Sequence, residues 1–369
     1  MHTIYVTSVQ DFAGKTSLTI GLGRHLQRDG FVVGYMKPLA TRVREAWSRG
    51  ARKPISEEAV TQDAEFVRHV LGLAEPLSDI VPIALTPPLI KAAIEDPDAV
   101  DAVAKLEAAY ERVAKDKDVL LLEGSGNPFK GSLIELSSPQ VTERLDARVI
   151  VVLKYDNNLC IDAAAGLRMI YGDRLIGVVI NAVPRPNMRF VQRVARPILE
   201  ERNLPVFAVV PDEHLLSSVS VLELVENLNP DIVCCEDKID ALVEYLMVGA
   251  MTAGSALIYF RQRPNKAVIT GGDRHDVQLA ALETSTRCLI LTGGQGPSSV
   301  VLKRAQEVEV PVIVVEPDTL TTVRMIEPIF GSTAMHQERK SEYFQDILEE
   351  RFDFSRLYEM MGLGTSHPS

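Results

Sequence analysis

Ile4-Tyr5-Val6-Thr7-Ser8-Val9-Gln10-Asp11-Phe12-Ala13-Gly14-Lys15-Thr16-Ser17-Leu18 decides the fold: an apolar run, a tight loop and a helix start follow one another without a gap. In that order the loop's backbone N–H groups and the positive end of the new helix face an anion. Lys15 then neutralises outer phosphates, and the Thr16 hydroxyl is placed to ligate Mg²⁺. Gly14, Lys15, Thr16 and Ser17 are the expected nucleotide-contacting set. The usual spacing puts the loop's first glycine at position 9, where this chain has Val9. One residue earlier, where a longer loop would begin, it has Ser8. Leu18, Ile20, Leu22 and Leu26 follow as an apolar helix pattern, the context that a chance Gly-Lys-Thr lacks.

The 369 residues, 46% hydrophobic and 24% charged, suffice for two globular domains with separate cores. A net charge of −11 argues against nucleic acid or an anionic membrane as the main partner. No run of about 18 apolar residues occurs, and the N-terminus enters a strand at once. The expectation is a cytoplasmic protein with neither membrane span nor signal peptide. Cys160, Cys234, Cys235 and Cys288 lack metal-ligand spacing and read as reduced thiols, those in apolar runs as core.

Continuous apolar runs at Thr3–Val6, Val32–Met36, Val119–Leu122, Val149–Leu153, Leu175–Ile180 and Val206–Val210 predict strands buried on both faces. Helical patterns lie between them at Thr16–Arg28, Ala59–Leu71, Asp98–Ala114, Asn158–Ile170 and Met188–Glu201. Right-handed crossovers then give a doubly wound, mostly parallel α/β domain over residues 1–215. Residues 216–247 read as a mostly helical linker, with a short strand candidate at Asp231–Cys235. Residues 248–360 read as a smaller α/β domain of repeated β-turn-α units, built on Ala267–Ile269, Cys288–Leu291 and Val312–Val315. The polar tail, 361–369, is expected to fray.

Further candidates sit at the carboxyl ends of strands, where open parallel sheets collect ligands. Glu123 ends Val119-Leu120-Leu121-Leu122, either as a Mg²⁺ ligand beside Thr16 or as a surface glutamate. Lys37, in Tyr35-Met36-Lys37-Pro38, either meets a phosphate or anionic substrate or is solvated. Asp63, in Thr61-Gln62-Asp63-Ala64-Glu65-Phe66, is expected to open a helix, with an N-cap as its plainer reading. Asn181 either contacts an adenine edge or marks a turn. The basic stretch Arg42-Val43-Arg44, with Arg49, Arg52 and Lys53, is either a lid or a solvated loop, with Trp47 inside it. The Gly271-Gly272 and Gly293-Gly294 turns are either anion nests helped by Arg274 or Arg287, or tight strand-to-helix turns. Asp273 beside Arg274 suggests a local ion pair.

Together, Gly14-Lys15-Thr16, Lys37-Pro38, Asp63, Glu123-Gly124-Ser125-Gly126 and Asn181 resemble the dethiobiotin-synthetase branch of P-loop proteins. The resemblance implies Mg²⁺ held by Thr16, Asp63 and Glu123, with Lys15 and Lys37 at the transferring phosphate of ATP. It also implies Asn181 at the adenine and Thr41 as a small hydroxyl near the substrate. Ser8 departs from the pattern by replacing the first loop glycine. Val248-Gly249-Ala250-Met251-Thr252 and Lys266–Arg274, followed by Cys288–Gly294, resemble the DRTGG domain. This pairing is similar to the N-terminal half of long bacterial phosphate acetyltransferases, here expected to stand without the acetyltransferase domain.

Two functions follow from the resemblance. One is a nucleotide- or metabolite-sensing regulatory module tied to acetyl-phosphate and acetyl-CoA metabolism, in contact with an acetate-metabolism enzyme. The other is an ATP-dependent ligase or carboxylase acting through a phosphorylated carbamate or carboxylate. A homodimer is expected by the same analogy.

Overall fold

The computed structural model describes residues 1–41, 47–48, 51–52, 57–96, 100–331 and 337–364, in two compact units. The first contains residues 1–45, 54–212 and 334–369, and the second is built on residues 213–333. Arg42, Val43, Arg44, Arg49, Lys53 and the last five residues of the expected tail lie outside the described residues. The backbone at Trp47–Ser48 and Ala51–Arg52 forms a short antiparallel pair. No helix among the described residues is long and apolar enough to cross a membrane.

Six strands make the first sheet: β1 His2–Ser8, β2 Val33–Met36, β3 Val119–Glu123, β4 Arg148–Lys154, β5 Leu175–Val183 and β6 Val206–Pro211. Their order is β2-β3-β1-β4-β5-β6, and every pair is parallel. This is the doubly wound α/β sheet expected from the sequence. Near-continuous burial along β1, β3 and β5 explains the unbroken apolar runs, because helices cover both faces. Chain order reverses around β1, so the switch-point crevice opens at its carboxyl end, where the loop to helix Lys15–Arg28 begins. Register fixes what shares that edge: Val6 lies opposite Glu123, Met36 opposite Leu122, and Lys154 opposite Asn181.

The helical pattern over 188–201 is interrupted by a π-helical turn at Val191–Ala195. Pro197 follows, and its missing N–H and bulky ring force the preceding turn to widen.

The second unit holds a five-stranded sheet in the order Asp231–Cys234, Val312–Val314, Thr286–Thr292, Lys266–Gly271, Tyr245–Val248. Val268, Leu289 and Leu291 face one apolar cluster, while Ala267, Ile269, Cys288 and Ile290 face another. That alternation is why each run reads as wholly apolar. Two features differ from expectation. Asp231–Cys234 pairs antiparallel with Val312–Val314, so this sheet is mixed. The stretch 216–247 carries one helix, Val221–Leu228, and short strands, among them Val219–Ser220 paired with Leu242–Val243. Two-residue strands are too short for periodicity to reveal.

A third difference concerns helices Glu338–Arg351 and Phe354–Met361, which group with the first unit. Leu348 lies against Gly21 so closely that a Cβ there would sit 2.5 Å from its Cδ2. His25 stacks on Phe354 and bonds Glu349 at 2.8 Å.

All four cysteines are unpaired, and three are buried. Burial raises the thiol pKa of Cys160 and Cys288 and pushes Cys235 up to about 11, in keeping with inert core thiols.

Lys266 is fully buried at the start of its strand, with its ammonium donating to the Ser285 carbonyl at 3.0 Å. Burial pulls its pKa down from 10.5 to about 8. Between those values the unfolded chain keeps a proton that the folded chain has released, so stability rises with pH across that window. Below the lower value the buried charge imposes its full penalty. Lys266→Met is therefore expected to stabilise the chain by about 2 kcal/mol at pH 7, an advantage that fades towards pH 10. Denaturant unfolding at several pH values checks this, and a pH-independent difference would contradict it.

Candidate nucleotide site at the first-strand crevice

The loop after β1 turns through Phe12 and Gly14, both at positive φ (55° and 97°), before the helix starts at Lys15. A side chain at Gly14 would be strained and would collide with the Asn181 amide, so glycine is required twice over. Asn181 lies within β5. Its Nδ2 donates to the Ala13 carbonyl at 2.8 Å, and its Oδ1 accepts from the Ala182 N–H at 2.9 Å. It braces the loop from behind, which replaces the turn-residue reading. Gly126 is pressed against the Asp11 backbone in the same way. Thus Glu123-Gly124-Ser125-Gly126 buttresses the phosphate loop, and the Thr7 hydroxyl ties β1 to the Ser125 carbonyl at 3.1 Å.

Glu123 is 2% exposed, which removes the surface-glutamate reading. Its Oε1 accepts from the Thr16 hydroxyl at 3.1 Å and lies 3.2 Å from the Lys37 ammonium. Lys37 also reaches Asp63 at 3.4 Å. Asp63 sits in the second turn of Glu57–Val70, away from the cap position. Two carboxylates from different elements therefore converge on one cation beside the first turn of the loop helix. Lys15 reaches back to the Ser8 hydroxyl at 3.0 Å, and that hydroxyl donates to the Gln10 carbonyl. Ser17 is half-buried in the helix's first turn, and Thr41 is half-buried one residue past the Ala40–Ala84 bridge.

Two contributors escape motif reading. Tyr35 donates its hydroxyl to Glu123 Oε2 at 3.2 Å. Burial, then the charges of Glu123 and Asp63, hold its pKa well above the ordinary tyrosine value, so it remains a donor. Strand alternation put Tyr35 on the Lys37 side, a signal available in the sequence. Asp156, following β4 as Glu123 ends β3, accepts from Gln10 of the loop at 2.9 Å and from the Cys160 N–H at 2.6 Å.

Among the described residues no set of three or more His, Cys, Asp or Glu side chains is arranged around a metal position. The donors here are two carboxylates and a hydroxyl, hard oxygen ligands of the kind Mg²⁺ accepts when phosphates and water complete its shell.

The Gly271-Gly272 turn is braced from within the second unit. Gln278 Nε2 bonds the carbonyls of Gly271 and Gly272, and a Cβ at Gly272 would run into Gln295. Arg274 bonds the Met251 carbonyl at 2.8 Å and Asp276 at 3.4 Å, in place of the expected local pair with Asp273. Arg287 bonds Asn265.

Comparison with known proteins agrees with both halves. Residues 2–220 match the AAA domain, and residues 223–329 match the DRTGG domain. A phosphate acetyltransferase of Pseudomonas putida is 20% identical across 98% of this chain and 52% of its own length. The ATP-dependent dethiobiotin synthetase of Methanococcus vannielii is 27% identical, covering 57% of this chain and 93% of that protein. The chain thus spans about half the length of the phosphate acetyltransferases it matches. A solved structure of the CBS and DRTGG domains of the Clostridium perfringens pyrophosphatase regulatory region is a distant likeness. It shows 21% identity and a TM-score of 0.29, over 42% of this chain and 74% of that one. With the first match covering more than half of its residues, the chain belongs to the AAA-domain family, as a dethiobiotin-synthetase-like P-loop domain followed by a DRTGG domain.

Proposed function

We propose that the first unit binds a nucleoside triphosphate, ATP by analogy with its relatives, together with Mg²⁺. On this reading the chain is a nucleotide-sensing regulatory module related to phosphate acetyltransferase. The observation that carries it is the convergence of the Thr16 hydroxyl and the Lys37 ammonium on buried Glu123 at the mouth of the loop helix. A helix start, a glycine-limited loop and Lys15 supply the polyphosphate cradle. Thr16, Asp63 and Glu123 would hold the Mg²⁺, which offsets phosphate charge when bound. Asn181 keeps donor and acceptor capacity for a base edge beyond the bonds it makes to the loop. Thr41 would serve a second ligand, as the dethiobiotin-synthetase resemblance implies. Regulation requires only that the nucleotide bind two conformations unequally, and the DRTGG domain is the natural reporter of that difference. A cytoplasmic homodimer touching an acetate-metabolism enzyme completes the proposal.

A second reading has its own support, since Lys37, Asp63 and Glu123 form the set implied by the dethiobiotin-synthetase resemblance. In that chemistry a carbamate or carboxylate oxygen takes the γ-phosphoryl group and ADP leaves. An amine then attacks the activated carbon and inorganic phosphate departs. Lys15 and Lys37 would stabilise the charge moving on the phosphoryl oxygens.

Calorimetric titration of Mg·ATP, followed by phosphate-release assays with and without small diamines and bicarbonate, separates the readings. Saturable binding without turnover supports the sensor, and amine-dependent phosphate release supports the ligase. Absence of binding contradicts both.

A further inference from the structure

We propose that Tyr35 is a positioning residue of this site, its buried hydroxyl holding one oxygen of Glu123 so that the other faces Thr16, Lys37 and a nucleotide-bound divalent cation. The inference rests on the nucleotide reading above and adds a residue that lies outside the phosphate loop.

Three facts carry it. Tyr35 is fully buried and Glu123 nearly so, which leaves water little access to either partner. The two carboxylate oxygens have divided roles: Oε2 accepts from Tyr35 at 3.2 Å, while Oε1 accepts from Thr16 at 3.1 Å and meets Lys37 at 3.2 Å. Register makes the division rigid, since Tyr35 pairs with Leu121 and Met36 with Leu122 on the strand that ends in Glu123. A buried carboxylate without its Oε2 donor would turn to share both oxygens among Thr16, Lys37 and the cation. The single-oxygen geometry at the phosphate edge would then be lost.

A tyrosine that merely fills the core predicts something else. Its loss would weaken the fold and the site alike, with or without metal.

The test uses the full chain, with Mn²⁺ as the probe cation followed by electron paramagnetic resonance. Tyr35→Phe keeps the ring and removes only the hydroxyl. The expected result is about a tenfold loss of Mn²⁺ affinity in the presence of ATP. ATP affinity measured in excess chelator should change less than twofold. In Glu123→Gln the Tyr35→Phe change should add less than twofold further loss, because the partner it positions is already gone. The Tyr35 role is overturned if wild type binds Mn²⁺·ATP and Tyr35→Phe binds it equally well. It is also overturned if the variant loses metal-free ATP affinity to the same degree. No Mn²⁺·ATP binding by the wild type would overturn the nucleotide reading itself, and the Tyr35 role with it.

Discussion

Lys15→Ala is expected to weaken Mg·ATP binding by about 30- to 150-fold. A charge-assisted contact to a phosphate at a helix start contributes on the order of 2–3 kcal/mol, and each 1.4 kcal/mol is a factor of ten. Residual binding should remain, because the loop's N–H groups and the helix dipole survive the substitution. The Lys15 ammonium rests on the Ser8 hydroxyl, which the nucleotide must replace as a partner. Ser8→Gly removes that competing acceptor and restores the glycine of the longer loop pattern, so it should tighten binding severalfold. Both effects are read by calorimetry, with thermal unfolding as a control for folding. Equal affinity in wild type and Lys15→Ala would remove the phosphate role from this lysine.

The second large effect concerns stability. Leu348→Ala and Phe352→Ala should each destabilise the first unit by about 3 kcal/mol. Leu348 is fully buried against Gly21 of the loop helix, and Phe352 stacks on Phe207 of β6 with ring centroids 5.2 Å apart. The backbone reinforces the contact, since the Asp353 N–H donates to the Phe207 carbonyl at 2.9 Å. Truncation leaves a cavity between a helix and its neighbours that cannot collapse without moving the phosphate-loop helix. The nearby ion pair of Arg28 with Glu349 is short, at 2.7 Å, yet Arg28 is more than half exposed. Arg28→Ala should therefore cost less than about 1 kcal/mol. Denaturant unfolding ranks the three variants. A larger loss in Arg28→Ala than in Leu348→Ala would show that charge, rather than packing, holds these helices.

The six strands of the first sheet were legible because burial on both faces writes itself as unbroken apolar runs. Their ends were less so: β5 extends through Asn181 to Val183, past the point where the apolar run stops. Gly14, Lys15, Thr16, Lys37 and Glu123 were legible as chemistry at strand ends and a helix start. Their meeting was not, since it depends on register and on the sheet order that sets β3 between β1 and β2. Tyr35 shows the limit from the other side. Its alternation with Lys37 was visible, but nothing local said that its hydroxyl would find Glu123. The terminal helices Glu338–Arg351 and Phe354–Met361 were not singled out in the sequence, and the core they cover was hidden. An amphipathic pattern states that one face is buried and is silent on the partner. The strand at Asp231–Cys234 was read, but its antiparallel direction escaped for a related reason, because direction is set by tertiary pairing and leaves no mark on a four-residue run.

The central claim is that Lys15 and the Thr16–Glu123–Lys37 cluster grip a nucleotide's polyphosphate tail. Its most direct test is a crystal structure grown with Mg²⁺ and a non-hydrolysable ATP analogue. The β- and γ-phosphates are expected against Gly14, Lys15 and Thr16, with the Lys15 ammonium moved from Ser8 onto phosphate oxygen and Mg²⁺ beside Thr16 and Glu123. A saturated crystal in which Lys15 still rests on Ser8, with the nucleotide bound elsewhere, would contradict it.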